Sequence, residues 1–124
     1  MLLSGCAQPE VLALQHDVYE VEGGVETSVT SGCDELPRDP GAAFGFGLGT
    51  APGIKPAEYS ISYEFRNDSV SMTAGATGGA PTQREYDAAF LSSGGEDEFS
   101  IELTADFGLH VINRAVPGGC GLSN

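Results

Sequence analysis

Across residues 58–74 apolar and polar side chains alternate strictly, and the parity of that alternation flips once. Tyr59, Ile61, Tyr63 and Phe65 occupy odd positions, whereas Val70, Met72 and Ala74, beyond Asn67-Asp68, occupy even ones. A period of two gives a strand one apolar side and one solvated side. A two-residue loop at Asn67-Asp68 accounts for the flip, because it sets Phe65 opposite Val70, Tyr63 opposite Met72 and Ile61 opposite Ala74, with every apolar residue on one face. Asn and Asp also tolerate the positive φ that such a turn uses. The chain is therefore expected to be mainly β, an antiparallel sheet or small β-sandwich or roll built from hairpins.

A second hairpin follows from parity near the C-terminus. Phe99, Ile101, Leu103 and Ala105 are odd, as are Leu109 and Val111, so the loop must be odd in length. Asp106-Phe107-Gly108 fits, with Leu103 facing Val111 and Ala105 facing Leu109, and with Glu102 opposite Ile112 and Ser100 opposite Arg114 on a solvated surface. A third hairpin is expected around Gly23-Gly24, between 18–22 and 25–33, with two registers open. A two-glycine loop groups Val18 with Val25, Thr27 and Val29 but leaves Tyr19 and Val21 on the other side. Adding Glu22 to the loop gathers Tyr19 and Val21 with Val25 but sets Glu20 against Glu26, a like-charge pair.

Residues 37–56 are rich in Gly and Pro apart from Phe44-Gly45-Phe46-Gly47-Leu48-Gly49, which reads as an edge strand with a bare glycine face, or as a loop whose Phe side chains tuck into the core. Residues 74–81, almost entirely Ala, Gly and Thr, read as a linker. One short helix is expected over about 82–93, since Thr82-Gln83-Arg84-Glu85 has the form of a capping box and Gly94 sits where a C-cap belongs. The competing strand would use Tyr86, Ala88 and Phe90.

A chain of 124 residues suits one domain with a modest core. The 18 acidic residues against five basic ones leave a formal charge of −13. The bases, Arg38, Lys55, Arg66, Arg84 and Arg114, are scattered singly, so the chain lacks the cationic cluster by which proteins displace counterions from nucleic acid. Docking directly on an anionic lipid surface is disfavoured for the same reason. A macromolecular partner, if there is one, is expected to be a basic protein.

Leu3-Ser4-Gly5-Cys6, small neutral residues leading to a cysteine, resembles the lipobox of bacterial lipoproteins. Only Met1 and Leu2 precede it, too short a stretch for the basic and apolar regions of a secretory signal. The resemblance implies that Cys6 is acylated, that residues 1–10 are a lipobox remnant and polar tether, and that 11–124 form a single β-rich domain outside the cytoplasm. In a Gram-negative envelope Ala7, in place of the Asp linked to inner-membrane retention, implies the outer membrane. Lipidation also accounts for the odd cysteine among three. Cys33 and Cys120 remain as an even pair, each beside glycine and 87 positions apart, and are expected to form a disulfide. The chain-entropy relation gives a loop of that size roughly 4–5 kcal/mol.

The order of Gly32-Cys33, a hairpin carrying Met72-Thr73-Ala74, a helix ending in Ala89-Phe90-Leu91 and a final β pair resembles the META domain of some bacterial lipoproteins. Asp34 stands where that family has Asn, and no cysteine follows the Met-Ala element. No catalytic residue is carried over. His16 and His110 belong to no catalytic motif, and a hydrolase would require one of them beside a Ser, Asp or Glu in a cleft. Glu96-Asp97-Glu98, and secondarily Glu20, Glu22 and Glu26, are weak calcium candidates that lack EF-hand spacing. The expectation is thus a small, acidic, lipid-anchored binding or structural module without cofactor or catalytic residues, an inhibitor of a basic cell-wall enzyme being the first alternative and a small hydrolase the second.

Overall fold

The structure, a computed structural model, describes residues 11–39, 41–49 and 56–121. The lipobox and Cys6 lie outside the described residues. In chain order the elements are β1 (Ala13–Glu22), β2 (Val25–Glu35), β3 (Phe44–Gly49), β4 (Tyr59–Phe65), β5 (Val70–Ala76), β6 (Thr82–Tyr86), α1 (Ala88–Ser93), β7 (Glu96–Glu102) and β8 (Phe107–Ala115). They form two four-stranded antiparallel sheets, β2-β1-β8-β7 and β3-β4-β5-β6. Side chains of both sheets merge into one core that includes Leu14, Val18, Leu109 and Val111 from the first sheet and Ile61, Phe65, Val70 and Met72 from the second. The fold is a β-sandwich.

The β4–β5 hairpin is the one read from parity, with Phe65 opposite Val70, Tyr63 opposite Met72 and Ile61 opposite Ala74. Its closing bond runs from the Arg66 N–H to the Ser69 carbonyl at 2.8 Å. The turn differs in one respect: among the described residues no non-glycine residue has a positive φ, so Asn67 and Asp68 reverse the chain without the left-handed conformation. The β5 strand runs on through Ala76, and residues 77–80 form its turn into β6. The expected linker over 74–81 is therefore half strand and half hairpin turn.

The helix is shorter than expected. Thr82–Tyr86 is an edge strand paired to β5, with Tyr86 opposite Val70 and Arg84 opposite Met72. A sheet neighbour satisfying the backbone of these residues outweighs a local capping pattern. The helix starts at Ala88 with Asp87 as its N-cap, the Asp87 side chain accepting from the Phe90 N–H at 2.9 Å, and it ends at Gly94 with φ 77°. Its Leu91 is fully buried where the chain crosses from one sheet to the other.

In the β7–β8 hairpin, parity is as expected but the register is not. Phe99 faces Val111 and Ile101 faces Leu109, so Ser100 lies opposite His110, Glu98 opposite Ile112 and Glu96 opposite Arg114. The ladder closes at Glu102 and Gly108, which leaves the odd connection 103–107, and Phe107, read from sequence as a turn residue, opens β8 opposite Glu22 of β1 and is 3% exposed. Burying a Phe side chain is worth about 1.5–3 kcal/mol, enough to displace the turn.

The open register of the β1–β2 hairpin is resolved by a bulge. Glu22 pairs with Val25 across the two glycines, Glu20 pairs with Thr27, and the ladder then skips Val29 so that Val18 faces Thr30. The skipped Val29 packs against the core. No like charges face each other here, since Glu26 lies opposite Val21.

The β3 strand is the edge of its sheet. A Cβ at Gly45 would stand 2.7 Å from the Tyr63 carbonyl oxygen of β4, so the bare glycine face accommodates the neighbouring backbone. At the other end of the molecule, the tail after β8 crosses the start of β1, with the Gly118 N–H on the Val11 carbonyl at 2.9 Å. This brings Cys120 to Cys33 of β2, and the two sulfurs are bonded at 2.07 Å.

Candidate functional site

Strand alternation that sends Leu14, Val18, Leu109 and Val111 inward sends their neighbours outward. On the β2-β1-β8-β7 sheet the outward set comprises Asp17, Tyr19 and Val21 from β1, Glu26 from β2, His110, Ile112 and Arg114 from β8, and Glu96, Glu98 and Glu102 from β7. Tyr19, Val21 and Ile112, each half-buried, form an apolar strip along the middle strands, and the carboxylates flank it on both sides. The opposite face, on β3-β4-β5-β6, has Gly45, Gly47 and Gly49, Ser60, Ser62, Ser71 and Thr73, with Gln83 and only Glu64, Glu85 and Arg66 as charges. The first sheet's outer face is thus the more acidic of the two.

His110 holds the acidic face together. Its Nε2 lies 2.6 Å from Glu98 Oε2 and its Nδ1 lies 2.8 Å from Glu26 Oε2, so one imidazole spans from β7 to β2. Its ring stacks on Tyr19 with centroids 5.8 Å apart. Only the imidazolium donates from both nitrogens at once. The hydrogen bond to Glu98 raises the His110 pKa above its ordinary value, against partial desolvation and with the help of Glu26.

A cavity of about 390 Å³ lies where this face meets the turns, between Gly23-Gly24 and residues 104–106. The Gly23 N–H donates to the Asp106 carbonyl at 3.1 Å and ties the two turns together. Val21 and Gly108 from the middle strands and Ser100 and Glu102 from β7 line it, with Thr104 and Asp106 from the turn. The outer face of the other sheet has a shallow trough of about 790 Å³ over Ser62, Glu64, Ser71, Thr73, Gln83 and Glu85. Gly45, Phe46, Tyr63, Met72 and Arg84 complete its lining.

Between the sheets lies a second group of polar residues. The Tyr63 hydroxyl donates to Asn113 Oδ1 at 2.7 Å, Asn113 Nδ2 donates to the Tyr86 oxygen at 2.9 Å, and the Tyr86 hydroxyl donates to Asp97 Oδ2 at 2.8 Å. Asp97 also pairs with Arg84 Nε at 3.1 Å, and the Arg84 guanidinium lies 4.3 Å over the Phe99 ring. The Tyr59 hydroxyl donates to Glu20 Oε2 at 2.5 Å. Burial raises the pKa of all three tyrosines well beyond the ordinary range, so each remains a neutral donor. These bonds join the two sheets and satisfy groups that would be costly to bury alone.

His16 is 5% exposed, against the rings of Phe46 and Tyr63 at 5.2 and 5.4 Å. Its Nε2 is 3.2 Å from Thr30 Oγ1, while Nδ1 is 4.0 Å from Asp34, beyond hydrogen-bond reach. Desolvation lowers its pKa, opposed by Asp34 and Asp17. The hydroxyl, imidazole and carboxylate fall in the order of a hydrolytic triad, but the imidazole is buried between the sheets and neither cavity described above is lined by any of the three.

The calcium candidates do not converge. Glu96 and Glu98 point outward while Asp97 between them points inward to Tyr86 and Arg84, as alternation along a strand requires. Glu20 is turned inward to Tyr59 and Glu26 outward to His110. Among the described residues no group of three His, Cys, Asp or Glu is placed to hold a metal ion. None of the described helices is long and apolar enough to cross a membrane.

Sequence reasoning put His110 on a polar surface but missed its two carboxylate partners, because the expected register set Ser100 rather than Glu96 across from Arg114. It missed Asn113 and the tyrosine hydroxyls altogether, since these bonds join sheets whose apposition no local pattern encodes. Comparison with protein-family profiles, with curated proteins and with solved structures found no match.

Proposed function

We propose that this chain is a non-catalytic binding module held by a lipid on Cys6 at the outer side of a bacterial membrane, and that its acidic sheet face takes a basic protein partner. The observation that carries this reading is the asymmetry of charge: Asp17, Glu26, Glu96, Glu98 and Glu102, with Arg114 and His110 among them, share one face around an apolar strip, opposite a face of Gly, Ser and Thr that has only Glu64, Glu85 and Arg66 as charges. Such a face attracts a cationic partner over a distance and offers Tyr19 and Ile112 for contact once it arrives. The cavity beside Val21 suits a Lys or Arg side chain, whose aliphatic stem would lie on Val21 while its charged head meets Glu102 or Asp106. The Cys33–Cys120 bond fits a compartment outside the reducing cytosol.

The test is titration with a Lys- and Arg-rich peptide by calorimetry at two salt concentrations. Binding is expected to weaken steeply as salt rises and to fall in Glu98→Lys and Glu102→Lys, while Glu64→Lys and Glu85→Lys on the other face leave it nearly unchanged. Equal losses from both pairs would remove the face-specific reading. Intact mass of the protein made in a membrane-targeting bacterial host tests the anchor; Cys6 without acyl mass would overturn it.

A further inference from the structure

A second surface follows from the sheet edges, independently of the basic partner. Four strands are edges: β2, β7, β3 and β6. Three of them bear charge, with Glu26, Asp34 and Glu35 on β2, Arg84 and Glu85 on β6, and Glu96, Asp97, Glu98 and Glu102 on β7. Charges on an edge discourage another strand from pairing there. The β3 strand, Phe-Gly-Phe-Gly-Leu-Gly, has none, and among the described residues no strand pairs with its outer side. Phe44 on it is 41% exposed, one of the two exposed large hydrophobic residues among those described, and Phe46 and Leu48 are only partly buried.

We infer that β3 is a self-association edge, at which two copies of this chain join their β3-β4-β5-β6 sheets into one continuous antiparallel sheet. Two features select a second copy as the occupant. A chain with a formal charge of −13 repels itself over most of its surface, and β3 is the edge where two copies meet without setting carboxylate against carboxylate. The strand is also self-complementary. Antiparallel pairing about Gly47 sets Phe46 against the second copy's Leu48 on the core side and Gly45 against its Gly49 on the outer side, so the side-chain faces of both sheets stay in phase. The outer glycines leave nothing to obstruct the approach, and the inner apolar side chains lose the solvent exposure they have in the single chain.

Sedimentation velocity of the full chain over a range of concentrations tests this. A species of twice the chain mass is expected to grow with concentration and to be strengthened by salt, which screens the mutual repulsion. That salt dependence is opposite in sign to the one expected for a basic partner, so the two proposals stand or fall separately. Phe44→Lys, an inward charge at the edge, is expected to weaken the dimer by roughly tenfold or more, with circular dichroism confirming that the variant folds. Amide exchange in the unaltered protein gives a second readout that needs no variant: exchange over Phe44–Gly49 is expected to slow as concentration rises. A chain that stays monomeric in high salt, or a dimer whose protection maps to β2, β6 or β7 and survives Phe44→Lys, would overturn the inference.

Discussion

The two outer faces of this sandwich are made by the same device and come out unlike each other. On both sheets, alternation turns every second residue toward the space between them, so Val18 and Val111 on one side and Ile61 and Met72 on the other are fixed by the fold. The remaining residues are released from that constraint. One sheet spends the freedom on carboxylates around Tyr19, His110 and Ile112, the other on Gly, Ser and Thr. Packing does not ask for this difference, and both proposals rest on it, one on the acidic face and one on the uncharged edge of the other sheet.

The largest expected effect comes from the disulfide, which ties the tail after β8 to β2 of the first sheet. Replacing Cys33 and Cys120 with Ser should lower stability by about 2–5 kcal/mol in denaturant unfolding, with amide exchange rising first along β2 and the tail rather than in β4 and β5. Uniform loss of protection would show that the two sheets do not differ in their dependence on this bond. Next is the bridge between them. Asn113→Ala strands the Tyr63 donor and removes the donor to Tyr86, and should cost roughly 1–3 kcal/mol, whereas Ser62→Ala on the outer face of the second sheet should stay within about 0.5 kcal/mol.

A smaller and more selective contrast lies in pH. His110, with its pKa raised above 6.5, gives the acidic face stability that is complete below that pH and is lost as pH rises through the higher folded value. His16, with its pKa lowered, has the opposite sign: its neutral form is favoured in the fold, so stability holds above pH 6.5 and declines as pH falls below it. Melting temperatures should therefore show His110→Gln costing most in acid and little in alkali. His16→Gln, compared with the unaltered chain, should fare better as the solution is acidified. Parallel pH profiles for the two variants would contradict these assignments.

How far the sequence discloses this arrangement depends on whether the deciding contacts are local. The β4–β5 hairpin is legible to the residue because both of its strands carry complete alternation and the loop length is fixed by parity. The β7–β8 hairpin is legible in its facing but not in its register, because Phe107 satisfies the parity rule equally well in a turn or at the head of a strand, and only the core beside Tyr59 distinguishes them. At 82–86 the local signal is overridden: Thr82 to Glu85 have the form of a helix cap, yet β5 provides hydrogen-bond partners and Asp97 receives Arg84. The acidic face was half visible, since Tyr19 and Val21 already stood apart from Val18 in the two-glycine register, but its carboxylates assemble only once β8 is inserted between β1 and β7.

The most direct test of the central claim is residue-resolved mapping of a basic peptide onto the isotope-labelled chain by amide chemical-shift perturbation. Perturbed amides are expected on β1, β8 and β7, centred on Tyr19, His110 and Ile112 and reaching the cavity beside Gly23 and Glu102, with high salt abolishing the pattern. Perturbations centred instead on Ser62, Ser71 and Thr73, or none at concentrations where the peptide binds an unrelated acidic protein, would contradict it.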